Sequence, residues 1–168
     1  MSTPATVALA LLVTALGAPV VAQAFSSGVD RVGVDDIDYA LHRISVTESR
    51  GVRFHSSQDG NAQFILNARF DASEVELHCG WDDVLIVRSG YGVLEHGALV
   101  RGERAYTRGE WRARRIVEAE EVILKPGDLV RVPAGVAHAV HPLGDAPVIY
   151  LVVKNRSARP STAGLCGA

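Results

Sequence analysis

What this chain lacks first is a net sign. Its 168 residues carry 17 Lys and Arg against 19 Asp and Glu, a formal charge of -2. That balance leaves no electrostatic footprint of the kind that a phosphate backbone or an anionic lipid surface requires, so nucleic acid is not an expected partner. Length is also lacking for two ordinary domains, although 48% apolar residues suffice for one well-buried core. No internal repeat and no linker divides the chain. Helix signals are scarce: the best runs from Val34 to His42, opening after Gly33 with Asp35 and Asp36 in its first turn, and is worth one or two turns.

Charge is missing altogether between Thr6 and Val29, and the run Val7 to Leu16 is almost wholly aliphatic. Gly17 and Pro19 interrupt it, and Ala22-Gln23-Ala24 ends it with a small-x-small pattern, so residues 1–24 read as a cleaved export signal. The Lys or Arg that usually precedes such a run is absent too, which keeps an uncleaved membrane anchor open as the alternative. The expectation is a secreted or periplasmic protein beginning near Phe25, free of the membrane once the signal is removed. Only two cysteines are present, Cys79 and Cys166. Outside the cytoplasm they can close a bridge, worth about 4 kcal/mol in the chain-entropy account. The alternative is that Cys79 is a small buried apolar residue and Cys166 lies in a frayed tail.

Past residue 25, short apolar runs recur about every ten residues between Gly, Asp, Asn, Ser and Pro clusters, the rhythm of an all-β sandwich or barrel. Strands are expected at Tyr39 to Thr47, Phe64 to Phe70, Glu74 to Cys79, Val84 to Arg88, Tyr91 to His96, Ala98 to Arg101, Glu121 to Lys125, Leu129 to Pro133, Val136 to His141 and Val148 to Lys154. The segment Arg101 to Glu120 has no clean period and reads as a solvated loop or an irregular hairpin. Its Arg112, Arg114 and Arg115 offer contacts to an anionic substrate, but the default reading is a solvated loop. The tail after Asn155 has few apolar side chains to bury, so residues 156–168 are expected to be disordered.

Two clusters carry chemistry. In Glu74-Val75-Glu76-Leu77-His78-Cys79, polar and apolar residues alternate as the faces of a strand demand, so Glu76 and His78 share a face. Gly80 and Trp81 then turn the chain, and Asp83 at the start of the return strand is expected to face them across a hairpin. Further on, Pro126-Gly127 and Pro133-Ala134-Gly135 bracket a short strand, and His138 begins its expected hairpin partner. His141 points to the opposite face from His138 and reads as packing. Trp81 and Tyr91 either line a pocket mouth or fill the end of a barrel.

These residues resemble the cupin superfamily. Its second motif, a Gly, five residues, Pro-x-Gly, two residues and a His, is met at Gly127, Pro133, Gly135 and His138. Its first motif, His-x-His, three or four residues, Glu, six residues and Gly, takes the form Glu76-x-His78, four residues, Asp83, six residues and Gly90. The resemblance implies a single-domain antiparallel β-barrel, a double-stranded β-helix or jelly roll, over residues 25–155. It also implies one divalent metal ion held by Glu76, His78, Asp83 and His138, with Glu76 where the family usually has its first His. Two imidazoles with two carboxylates suit Mn, Fe, Zn or Ni. Burying those carboxylates without a cation would cost several kcal/mol, on the order of any buried unpaired ion.

The implied activity is that of a metal-dependent enzyme, oxygenase-like or isomerase-like, acting on a small organic molecule. A non-catalytic module that binds a small ligand, or holds a metal structurally, stays open beside it. A metal-free structural barrel is the third reading. The resemblance also allows a homodimer. Neither the substrate nor the metal is legible in the residues.

Overall fold

Burial alternates residue by residue along the longest strands, and this alternation sets two sheets face to face. The computed structural model describes residues 31–47, 51–56 and 60–167; the expected export signal at 1–24 lies outside them. Within these limits the chain forms α1 (Val34–Thr47), β1 (Gly51–Ser56), β2 (Ala62–Arg69), β3 (Val75–His78), β4 (Trp81–Ser89), β5 (Gly92–Gly97) and β6 (Leu99–Arg101). There follow β7 (Arg104–Thr107), β8 (Glu110–Ala113), β9 (Arg115–Val117), β10 (Glu120–Leu124), β11 (Leu129–Val132), β12 (Ala137–Pro142) and β13 (Val148–Arg156). One sheet has the order β1-β2-β13-β4-β11, the other β10-β5-β12-β3-β8-β7, and β6 pairs with β9 in a separate ribbon. The described strands form the expected antiparallel jelly roll, as two facing sheets that do not close into a barrel.

Between the sheets lies an apolar core of Leu85 and Val87 from β4, Leu94, Leu124, Val132, Val140 and, from β13, Val148, Tyr150 and Val152. The outer face of the five-stranded sheet is covered by α1, whose Ala40 and Ile44 pack on Leu66 and Ala68. Here the strand expected over Tyr39 to Thr47 is corrected. Ile37, Ala40, Leu41 and Ile44 recur at helical spacing, and that period wins over the local alternation because a sheet face waits beneath it. The Asp36 carboxylate accepts from the Gly33 backbone N–H at 2.8 Å and closes the first turn.

The outer face of the six-stranded sheet carries Val75, Leu77 and Cys79, with Ala137 and Ala139 of β12, beneath Val100 and Ile116 of the β6–β9 ribbon. The segment expected to be a solvated loop or an irregular hairpin thus supplies three strands, of which β7 and β8 form an irregular hairpin. After β13 the chain is tied back: Ser157 N–H donates to Gly80 O at 3.0 Å, and Ser161 N–H to Cys79 O at 2.8 Å. Cys166 then forms a disulfide with Cys79. This is the segment whose composition suggested disorder. The tail also explains one glycine of the second motif. Gly135 has φ +84°, and a Cβ there would meet Ser161 Oγ at 2.3 Å, so only glycine lets turn and tail pass.

Candidate metal site between the sheets

The period of two places Glu76 and His78 of β3 and His138 of β12 on the inner face of the six-stranded sheet. Glu76 and His138 are direct cross-strand partners. Asp83 of β4 looks inward from the five-stranded sheet, where its cross-strand partner is Lys154 of β13. Asp83 therefore meets β3 across the sandwich, not across a hairpin, because β3 and β4 belong to different sheets. The turn at Pro133 to Val136 likewise carries the chain from one sheet to the other, so β11 and β12 are not the expected hairpin. The neighbouring Asp82 points away and accepts from Ala134 N–H at 2.9 Å, which pins that turn.

All four expected residues meet. Donor atoms of Glu76, His78 and His138 lie within 4.8 Å of one another. Asp83 Oδ2 is 3.4 Å from His78 Nε2 and 3.6 Å from His138 Nε2, and Glu76 Oε2 is 3.3 Å from His78 Nε2. Both rings are oriented from behind. His138 Nδ1 donates to Val136 O at 3.2 Å, and His78 Nδ1 makes a short contact with the Glu110 carboxylate. A carbonyl and a carboxylate can only accept there, so each Nδ1 bears the hydrogen and each Nε2 faces the centre. This is how an oriented imidazole is offered to a metal.

Three residues of the site, Glu110, Arg112 and Lys154, lie outside the ligand set expected from the sequence. Glu110 and Arg112 lie on β8 directly opposite His78 and Glu76. Glu110 orients His78, and Arg112 pairs with Glu76 Oε1 at 3.5 Å. The signal was a second alternating pair, Glu-x-Arg, matching Glu-x-His; its register against β3 is a tertiary fact. Arg114 and Arg115, by contrast, are exposed as expected. The third is Lys154, 8% exposed, whose Nζ lies 2.7 Å from His78 Nε2 and 3.5 Å from Asp83 Oδ1. It continues the inward series Val148, Tyr150, Val152, and a Lys on an apolar face was a readable signal. Of the two aromatic candidates, Trp81 lines the cavity at the site and Tyr91 is exposed.

Burial pushes the Glu76 and Asp83 carboxyls up, but hydrogen bonds from the imidazoles and nearby positive charge outweigh it. Glu76 is held at about 2 by His78 and Arg112, and Asp83 lies well below the usual carboxylate range. Burial pushes His78 down, yet hydrogen bonds to Asp83, Glu110 and Glu76 raise it to about 10 against the opposing Lys154 charge. Two N–H donors cannot face each other at 2.7 Å, so one proton serves Nζ and Nε2 together. Three carboxylates around one imidazole demand positive charge, which a proton, Lys154 or a metal ion can supply. Asp83 Oδ1 is buried without a hydrogen-bond partner among the described residues. That oxygen has only the Lys154 ammonium at 3.5 Å, and with two inward nitrogens and a second carboxylate it makes a donor set that fits a divalent transition metal.

A family model described as a cupin domain matches residues 107–154, which contain the second motif. Similar solved structures include TT1209 from Thermus thermophilus, 25% identical over 66% of this chain and 83% of that one, TM-score 0.46. KdgF from Halomonas sp. is 15% identical over 64% of this chain and 80% of its own, TM-score 0.43. The capsular polysaccharide assembling protein CapF from Staphylococcus aureus is 18% identical over 64% of this chain, TM-score 0.48, and the match spans only 28% of CapF. No curated protein matches. A two-sheet jelly roll with histidines and carboxylates gathered between its sheets defines the class. The family model is matched across the complete second motif, over residues 107–154, and the two-sheet jelly roll is the fold such a domain takes.

Proposed function

We propose that this cupin binds one divalent transition-metal ion, Mn, Fe, Zn or Ni, through Glu76, His78, Asp83 and His138. We read it as a metal-dependent enzyme, oxygenase-like or isomerase-like, acting on a small organic molecule. The observation that carries this reading is the convergence, from three strands and both sheets, of two imidazole Nε2 atoms and two carboxylates. A bound ion supplies Lewis-acid polarisation of a substrate oxygen. The chain's own residues do the rest: Glu110 and the Val136 carbonyl hold the rings, and Arg112 steadies the Glu76 carboxylate. A cavity of about 610 Å³ opens onto Glu76 and His78 and gives a small molecule access. The disulfide between Cys79 and Cys166 favours an oxidising compartment, in support of export.

Elemental analysis of protein purified without added metal tests the reading. Close to one equivalent of a single transition metal is expected in the wild type and a small fraction of that in His78→Ala and His138→Ala, each checked for fold by circular dichroism. Equal metal content in folded wild type and folded variants would sink the assignment of these ligands.

A further inference from the structure

The chain as a whole is slightly acidic, with a formal charge of -2, but the cavity over the site is not. Five basic side chains line it, Arg69, Arg108, Arg112, Lys154 and Arg156, against two carboxylates, Glu76 and Glu110. That is a local excess of three positive charges, or two when Asp83 behind them is counted. Low-dielectric walls focus such an excess on whatever enters.

The five are not equally free. Arg112 is spent on Glu76, Lys154 on His78 and Asp83, and Arg69 Nε donates to Tyr150 Oη at 3.1 Å. Arg108, in the turn between β7 and β8, has no partner among the described residues. Arg156 lies with its guanidinium 4.0 Å from the centre of the Trp81 ring. Stacking uses the face of a guanidinium and leaves its N–H donors, which lie in the plane, available for a bidentate oxyanion. The pairing also holds Arg156 in place before any ligand arrives, so less ordering is needed on binding.

We infer that the molecule this site accepts carries an oxyanion, a carboxylate or a phosphate, gripped by Arg108 and Arg156 at the cavity mouth while the remainder reaches towards Glu76 and His78. The inference rests on the proposed function for its chemistry, but its anion recognition stands on the arginines alone. An uncharged apolar molecule finds little here: apart from Ile65, the apolar surface of the cavity is that of Trp81 and Tyr106.

Isothermal titration of the full-length protein with malonate, inorganic phosphate and the neutral malonamide tests this, with and without a chelator. Malonate or phosphate is expected to bind, more weakly as salt rises, and malonamide at least tenfold less tightly. Arg108→Ala and Arg156→Ala are each expected to weaken the anion at least tenfold, and Arg115→Ala, exposed and outside the cavity, to leave it unchanged. Preference for malonate assigns a carboxylate and preference for phosphate a phosphoryl group, and either supports the inference. Malonamide binding as well as malonate, or anion binding indifferent to both arginines, overturns it. Metal bound without anion binding sinks this inference alone, whereas arginine-dependent anion binding to a protein that takes no metal sinks only the metal assignment.

Discussion

The space between the sheets has a hydrocarbon end and a charged end, lined by the same strands. β4 contributes Leu85 and Val87 to the first and Asp83 to the second; β12 contributes Val140 and His138; β13 contributes Val148, Tyr150 and Val152 and then Lys154. Each strand thus changes character along its length without leaving its period of two. The apolar end stabilises the stack of sheets. The charged end inherits a fixed separation of its opposing side chains from that packing, without needing to supply the binding energy itself.

This division of labour is breakable. The largest effect is expected at the hydrocarbon end, where Leu85→Ala should lose about 3 kcal/mol, within the range for a buried Leu truncated to Ala. Urea unfolding measures that loss, and elemental analysis of the surviving folded protein should still give the wild-type metal ratio. Loss of metal from a folded Leu85→Ala protein would show that the two ends are not separable.

At the charged end, Lys154→Met removes a positive charge from beside His78 Nε2 at nearly constant volume. Metal affinity by competitive chelator titration should rise about tenfold, because the ammonium both repels the ion and covers the lone pair it needs. The same change should lower the melting temperature of the chelated protein, whose carboxylates lose their cation. Reduced metal affinity in Lys154→Met would instead make the lysine a supporting member of the site.

A smaller effect is expected from pH on the chelated protein. Glu76 falls from 4.5 to about 2 on folding, so its contribution is present above 4.5 and fades as pH drops towards 2. His78 rises from 6.5 to about 10, so its contribution is complete below 6.5 and fades as pH climbs towards 10. Melting temperature should therefore peak between roughly pH 5 and 6 and decline on both sides. In Leu85→Ala the peak should stand lower at the same pH; a displaced peak would tie the core to the charges.

Most of the strand pattern was legible because half-buried strands advertise themselves by alternation, as β4 does from Trp81 to Val87. The inward placement of Glu76, His78, Asp83 and His138 was legible too, since motif spacing fixes which positions share a face. Three things were not. The helix over Val34–Thr47 was half hidden because Tyr39 to Thr47 satisfies either period until a partner surface decides. β7, β8 and β9 were hidden because their short, Arg-rich runs gain their pairing from register, β8 against β3, β7 against β8 and β9 against β6, and not from apolar content. The partner choice of Asp83 was misread because a short turn looks the same whether the chain returns beside itself or crosses to a facing layer.

The two faces of β3 answer to different demands. Val75, Leu77 and Cys79 are committed to the outer layer under the ribbon, whereas Glu76 and His78 address the interior. Inward positions can consequently be exchanged, imidazole for carboxylate at residue 76 for instance, with the outward anchorage of the strand left intact. Chemistry at such a site is open to revision one side chain at a time, while a single inserted residue would transpose both faces and forfeit chemistry and anchorage together.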